Sequence, residues 1–188
     1  MIGPLTELPT NLPIPEDDGG AAHLLGMRLP SLALRSTSGN LIDLAGLRGQ
    51  SVIFAYPMTG EPGRPLPTGW ISIPGAAGCT LESCGFRDHF EEIKDLGVSV
   101  FGLSTQGTEA QEEAKNRLHL PFDLLSDESL KLAMTLKLPM MNPDGRPMIK
   151  RLTLICSEGV IDHVFYPIFP PDKHAEEVMA WLNKNKEA

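Results

Sequence analysis

Between Gly49 and Pro57 lies Ser51-Val52-Ile53-Phe54-Ala55-Tyr56, a near-continuous apolar run. A strand that shows no polar alternation is buried on both faces, so it belongs inside a sheet that helices cover from both sides. The flanking pattern supplies the rest. Leu29 to Leu34 and Leu41 to Leu44 flank Ser38-Gly39-Asn40 and read as a short hairpin. A helix is expected from about Thr80 to Leu96, with Phe86, Phe90 and Ile93 on one face and Gly97 as its terminating glycine. Val98 to Leu103 is a second apolar strand. Thr108 to Leu118 is helical, with Thr108 and Gln111 spaced as a capping box. Phe122 to Leu125 reads as a strand and Glu128 to Leu136 as a helix, followed by a loop from Leu138 to Ile149. Arg151 to Ile155 and Val160 to Tyr166 pair across Ser157-Glu158-Gly159, and Asp172 caps a last helix to about Asn183. Early β-α-β crossovers followed by a late antiparallel hairpin predict an α/β fold. Its central sheet is mixed, with helices on both faces and an N-terminal hairpin, a thioredoxin-like architecture.

Two stretches stand outside that pattern. Residues 1–25 are rich in proline, glycine and acidic side chains and read as an arm or loosely packed lead-in to a domain spanning 26–188. Residues 58–78 hold Pro62, Pro65, Pro67, Pro74 and a series of glycines, which imposes irregular backbone. A loop of that length is often a lid or binding loop, and Trp70, Ile71 and Ile73 give it apolar surface with which to dock; a tolerated surface insertion fits the composition equally well.

The net charge of −8 and pI near 5.1 argue against a general affinity for nucleic acid or anionic membrane. No apolar run approaches the roughly 18 residues of a membrane span. Met1 to Asp18 lacks the basic and apolar segments of a secretory signal, so the cytoplasm is the expected compartment. The three cysteines, at 79, 84 and 156, suit a reducing compartment and redox or metal chemistry better than a disulfide framework. Cys156 lies in an apolar strand and reads as core. His23, His89, His119, His163 and His174 are scattered and form no evident metal set with the cysteines, and the glycines form no phosphate cradle.

Cys79 falls where a glycine-rich loop becomes a helix. The first N–H groups of a helix lack intrahelical partners and carry partial positive charge, so a thiol there is expected to ionise more easily than usual. Cys84 follows five positions later. In an unbroken helix their Cα atoms would lie roughly 8–9 Å apart. A disulfide requires roughly 4.4–6.8 Å, so a bond between them demands local unwinding.

The stretch Gly78-Cys79-Thr80-Leu81-Glu82-Ser83-Cys84-Gly85-Phe86-Arg87-Asp88 resembles the active-site segment of the peroxiredoxins. It is most similar to that of the bacterioferritin-comigratory (Q-type) group. The likeness extends over Gly26…Pro30…Leu34…Gly39…Leu44…Gly49, Phe54-Ala55-Tyr56-Pro57, Val98 to Gln106 and Arg151-Leu152-Thr153-Leu154-Ile155. The arm and the long loop are not shared. By position, the resemblance makes Cys79 the peroxidatic cysteine, Cys84 the resolving one, Arg151 the arginine that faces the thiolate, and Glu82 the acidic residue that orients polar groups near it. It implies a thiol peroxidase acting on hydrogen peroxide and organic hydroperoxides, with no cofactor or metal, reduced by a thioredoxin- or glutaredoxin-like protein, as a monomer or homodimer. The family places a threonine or serine three residues before the peroxidatic cysteine, and a proline four earlier still, where this chain has Ala76 and Ser72. Thr59, Thr68, Ser72 or Thr80 could supply a hydroxyl, or none does; the residues leave that open. A non-enzymatic peroxide sensor and a general dithiol–disulfide oxidoreductase are the competing readings, the latter disfavoured because such enzymes usually space their cysteines by two residues.

Overall fold

The computed structural model describes residues 7–186. The strands are β1 (Ala33–Ser36), β2 (Leu41–Asp43), β3 (Gln50–Ala55), β4 (Val98–Ser104), β5 (Asp123–Ser126), β6 (Met140–Met141), β7 (Met148–Ile149), β8 (Leu152–Ser157) and β9 (Val160–Phe165). The helices are α1 (Cys79–Asp88), α2 (Phe90–Asp95), α3 (Thr108–Leu118), α4 (Lys131–Leu136) and α5 (His174–Lys186). Seven strands form one sheet in the order β2-β1-β5-β4-β3-β8-β9, and β6 and β7 form a separate short ribbon. The neighbours β3, β4 and β5 run parallel, whereas β8 lies antiparallel to β3, so the sheet is mixed.

The apolar run is the middle of that sheet. Its side chains alternate between two cores. Ile53 and Ala55 pack with Leu103, Leu125, Leu154 and the helix α4 residues Leu132 and Leu136. Val52, Phe54 and Tyr56 pack with Phe86, Ile93, Leu118 and Val178, contributed by α1, α2, α3 and α5. Helices therefore cover both faces, and the architecture is thioredoxin-like.

Several local expectations are corrected. The helix expected from Thr80 to Leu96 is two, broken at His89, whose φ −98° and ψ 6° leave the helical region. The break lets Phe90 approach Phe122, at 6.0 Å between ring centroids, while Ile93 remains buried in the same core as Phe86. Gln111 does not reach back to a helix start: it is buried, and its amide donates to Ser104 Oγ at 2.9 Å and the Leu125 carbonyl at 2.8 Å. Helix α4 begins at Lys131 rather than Glu128, with Asp127 accepting from the N–H groups of Leu132 and Ala133. Asp172 lies inside a 3-10 turn, and α5 starts at His174.

Of the expected arm, residues 1–6 lie outside the described residues, and the remainder packs more closely than its composition implies. Ala21 and Leu24 are buried in the first core, because their small and branched side chains fit against the α4 side of the sheet. The stretch 58–78 is irregular apart from a 3-10 turn at Trp70–Ser72. It carries a small core of its own in which Trp70, Ala76, Ala77 and Met148 are buried, with Leu12, Leu66 and Ile73 packed against them. Ile71 stays exposed.

Candidate active site

Helix α1 begins where it does because of Gly78. Its φ of 101° is a left-handed backbone that a side chain would strain, and a Cβ there would lie 2.4 Å from Pro171 Cγ. The chain therefore presses directly onto the turn before α5 and emerges with Cys79 as the first helical residue. On the next turns Gly85 lies against Ala175, and Phe86 stacks on Phe54 with centroids 4.3 Å apart. Both contacts hold the helix start to the centre of the sheet.

Arg151 enters from the approach to β8, two residues before Thr153, which pairs with Phe54 of β3. Its guanidinium is buried. One nitrogen, Nη1, forms an ion pair with Glu82 Oε2, and the other, Nη2, lies 3.2 Å from Cys79 Sγ. The same Nη2 is surrounded by the carbonyls of Ala77 at 3.0 Å, Ala76 at 3.3 Å and Gly75 at 3.4 Å. Those carbonyls come from the last turn of the irregular segment, which thus becomes part of the site. Arg151 Nε and Glu82 Oε1 are buried without hydrogen-bond partners among the described residues. His174 stands behind this group, edge-on to Phe86, with Nε2 2.8 Å from Thr153 Oγ1 and Nδ1 3.1 Å from Glu177.

The electrostatics oppose one another. Burial pushes the Cys79 thiol up from its ordinary value; Arg151 pulls it back, Glu82 pushes it up, and a backbone N–H from Met58 favours the thiolate. Burial outweighs the pull of Arg151, so the thiol is pushed up, against the expectation of a readily ionised thiol. Burial likewise pushes the Glu82 carboxyl up, against the nearby Arg151 and His174. Cys79 Sγ also lies 3.4 Å from the Ala76 carbonyl, a contact that the protonated thiol can make.

The sequence-based site residues divide into a cluster and an outlier. Arg151 touches both Glu82 and Cys79 and so gathers the three into one cluster. Cys84 is half-buried on the same uninterrupted helix, beside Arg87, and all three cysteines are free thiols. Of the four candidate hydroxyls, Thr68 and Ser72 are exposed, Thr80 is half-buried, and Thr59 is buried next to Met58. The Met58 amide and the three carbonyls were invisible to sequence reasoning, because backbone groups carry no residue-type signal. Among the described residues no group of three or more His, Cys, Asp or Glu side chains is placed to hold a metal, and no helix is long and apolar enough to cross a membrane.

A buried thiol at a helix start, faced by an arginine from the adjoining strand of a thioredoxin-like sheet, defines a class of redox protein. The chain belongs to the redoxin family, whose model matches residues 24–179, and within it to the peroxiredoxins of the Q or Bcp kind. A Coxiella burnetii protein named as a peroxiredoxin bcp is 32% identical over 163 residues, covering 84% of this chain and 97% of that protein. The chloroplastic peroxiredoxin Q of Oryza sativa subsp. japonica is 28% identical over 158 residues; the match takes in 84% of this chain but only 65% of the rice protein's length. The crystal structure of peroxidoxin BcpB from Mycobacterium tuberculosis superposes with a TM-score of 0.67 at 25% identity, over 85% of this chain and 96% of that one.

Proposed function

We propose that the chain is a thiol peroxidase that reduces hydrogen peroxide and organic hydroperoxides through Cys79. The observation that carries the reading is the 3.2 Å contact between Cys79 Sγ and a buried arginine that is itself held by Glu82. The Cys79 thiolate attacks the terminal oxygen of ROOH. The O–O bond breaks, the sulfur is oxidised to a sulfenic acid, and the departing alkoxide or hydroxide takes a proton to leave as ROH or water. Arg151 stabilises the charge on sulfur and, through its unpartnered Nε, can hold a peroxide oxygen; a planar fork suits two acceptors at once. Glu82 keeps that fork oriented. No cofactor enters the balance.

Cys84 then condenses with the sulfenic acid, forming the S–S bond and releasing water, and a thioredoxin- or glutaredoxin-like dithiol in the cytoplasm reduces it by exchange. Because α1 is continuous from Cys79 to Asp88, the two sulfurs meet only if its first turns unwind. Hydrogen-exchange protection across residues 79–88 should therefore fall in the oxidised, Cys79–Cys84 linked protein; undiminished protection in that species would exclude the unwinding, and a disulfide mass map without a Cys79–Cys84 link would exclude Cys84 as partner. Cys79→Ser should abolish peroxide consumption in a thioredoxin-coupled assay. Turnover at the wild-type rate refutes the assignment, and a single stoichiometric oxidation of the wild type without turnover identifies a sensor instead.

A further inference from the structure

Residues 8–18 form no strand or helix, yet they run along the segment that delivers Cys79. Leu8 reaches Gly78, the residue before the reactive cysteine: a Cβ there would lie 3.1 Å from Leu8 Cδ2. Leu12 packs against the buried cluster that holds Trp70, Ala76 and Ala77. Pro15 covers Gly75, where a Cβ would lie 3.5 Å from Pro15 Cβ. Gly75, Ala76 and Ala77 are the residues whose carbonyls surround Arg151 Nη2. The end of the stretch is fastened. Asp18 accepts from Lys150 Nζ and from the Tyr166 hydroxyl, both at 2.6 Å, and Lys150 is the chain neighbour of Arg151. Pro9, Pro13 and Pro15 limit the backbone freedom that such a stretch would otherwise lose on docking.

We propose that residues 8–18 are a strap that holds residues 75–78, and with them the start of α1, against Arg151. Its release is coupled to the unwinding through which Cys84 reaches Cys79. For the two sulfurs to meet, the first turns of α1 open, and the chain that feeds them loosens from the guanidinium. The strap lies across that chain. Residues 73–78 belong to no strand or helix, so side-chain packing carries a larger share of their order. A contact made only in the closed form stabilises that form alone and shifts the balance by its own free energy. Both fastenings at Asp18 lie near the surface, so each is a modest weight, suited to an equilibrium that is crossed in every cycle. Opening is followed by the condensation already given, in which the S–S bond forms and water leaves.

The coupling rests on Cys79 and Cys84 being the reacting pair; the strap itself does not, and the test reads them apart. Hydrogen exchange is measured on full-length reduced wild type, Asp18→Ala and Tyr166→Phe, with no peroxide present. Asp18→Ala, which removes both fastenings, should speed exchange across residues 75–84 about tenfold, and Tyr166→Phe, which removes one, about threefold. Exchange in α3 should stay at its wild-type rate. After one equivalent of hydrogen peroxide, the Cys79–Cys84 disulfide, read by quenched peptide mass, should form faster in the same order. Exchange across 75–84 that stays at the wild-type rate in both variants makes the arm a passenger and overturns the strap. A loss of protection spread equally over α3 is general destabilisation and overturns it too. A disulfide that forms no faster although 75–84 have loosened overturns the coupling. If Cys79→Ser still consumes peroxide, or no Cys79–Cys84 link forms, the proposed reaction falls, and the exchange data on the reduced protein still decide the strap.

Discussion

Cys79 and Cys156 are both buried thiols in one small domain, reached by the same stretch of chain: Arg151 precedes β8, and Cys156 lies within it. Cys156 pairs with Ser51 in the register of β8 and β3 and packs with Ile161 and Leu44 in the first core. Burial pushes its pKa up to about 12, and the carboxylate of Asp162 adds to the rise. Cys79 lies in the second core, equally buried but with a guanidinium nitrogen 3.2 Å from its sulfur. Burial alone silences a thiol. What separates the pair is the presence of donors that favour the charged form, together with a helix start in place of a strand interior.

The largest test of this contrast is Arg151→Lys. A lysine keeps the charge but cannot bridge Glu82 and the sulfur with one planar fork, so single-turnover oxidation of Cys79 by peroxide should fall by about 10²-fold. Rapid-mixing fluorescence or quenched mass measurements check it; a loss of under about threefold would mean that charge, not fork geometry, sets the site apart. Glu82→Gln sharpens the contrast in the other direction. The Glu82 charge pushes the Cys79 thiol up, so a neutral amide should lower the pH at which Cys79 alkylates, provided that the amide oxygen still accepts from Arg151. A midpoint that rises instead would show that anchoring the guanidinium outweighs the removed charge. The smallest effect is expected at Cys156→Ala. Peroxide turnover should be unchanged, while denaturant unfolding should show a loss of about 1–2 kcal/mol from the small gap left in the first core.

The irregular segment and the arm show how chain outside the regular elements is recruited to the site. The sequence marked residues 58–78 as irregular, but not that their last turn would surround Arg151 with three carbonyls. The cavity of about 400 Å³ beside Arg151 is likewise lined by both regions, through Ile14, Pro15, Ile73 and Pro74, with the Lys150–Asp18 ion pair at its polar end.

Local chemistry made much of the fold legible. The apolar run of β3 required a doubly covered sheet, the turn residues around Gly39 and Gly159 placed two hairpins, and the glycine–cysteine junction placed the start of α1, all because periodicity and turn chemistry act over a few residues. Where local signals misled, a distant partner had prevailed. Gln111 has the spacing of a cap but was drawn inward by the Leu125 carbonyl, and the helix containing Phe90 broke so that this ring could approach Phe122. The site divides in the same way. The sequence by itself determined the nucleophile's type and its place at a helix start. Only the tertiary structure decided its environment: that Arg151, 72 positions away, would touch the sulfur, that Thr59 alone among the four candidate hydroxyls would be buried beside Met58, and that burial would oppose the helix start. A thiol's ionisation depends on every charge, dipole and layer of water within a few ångströms, and packing alone assembles those from parts of the chain that share no local pattern.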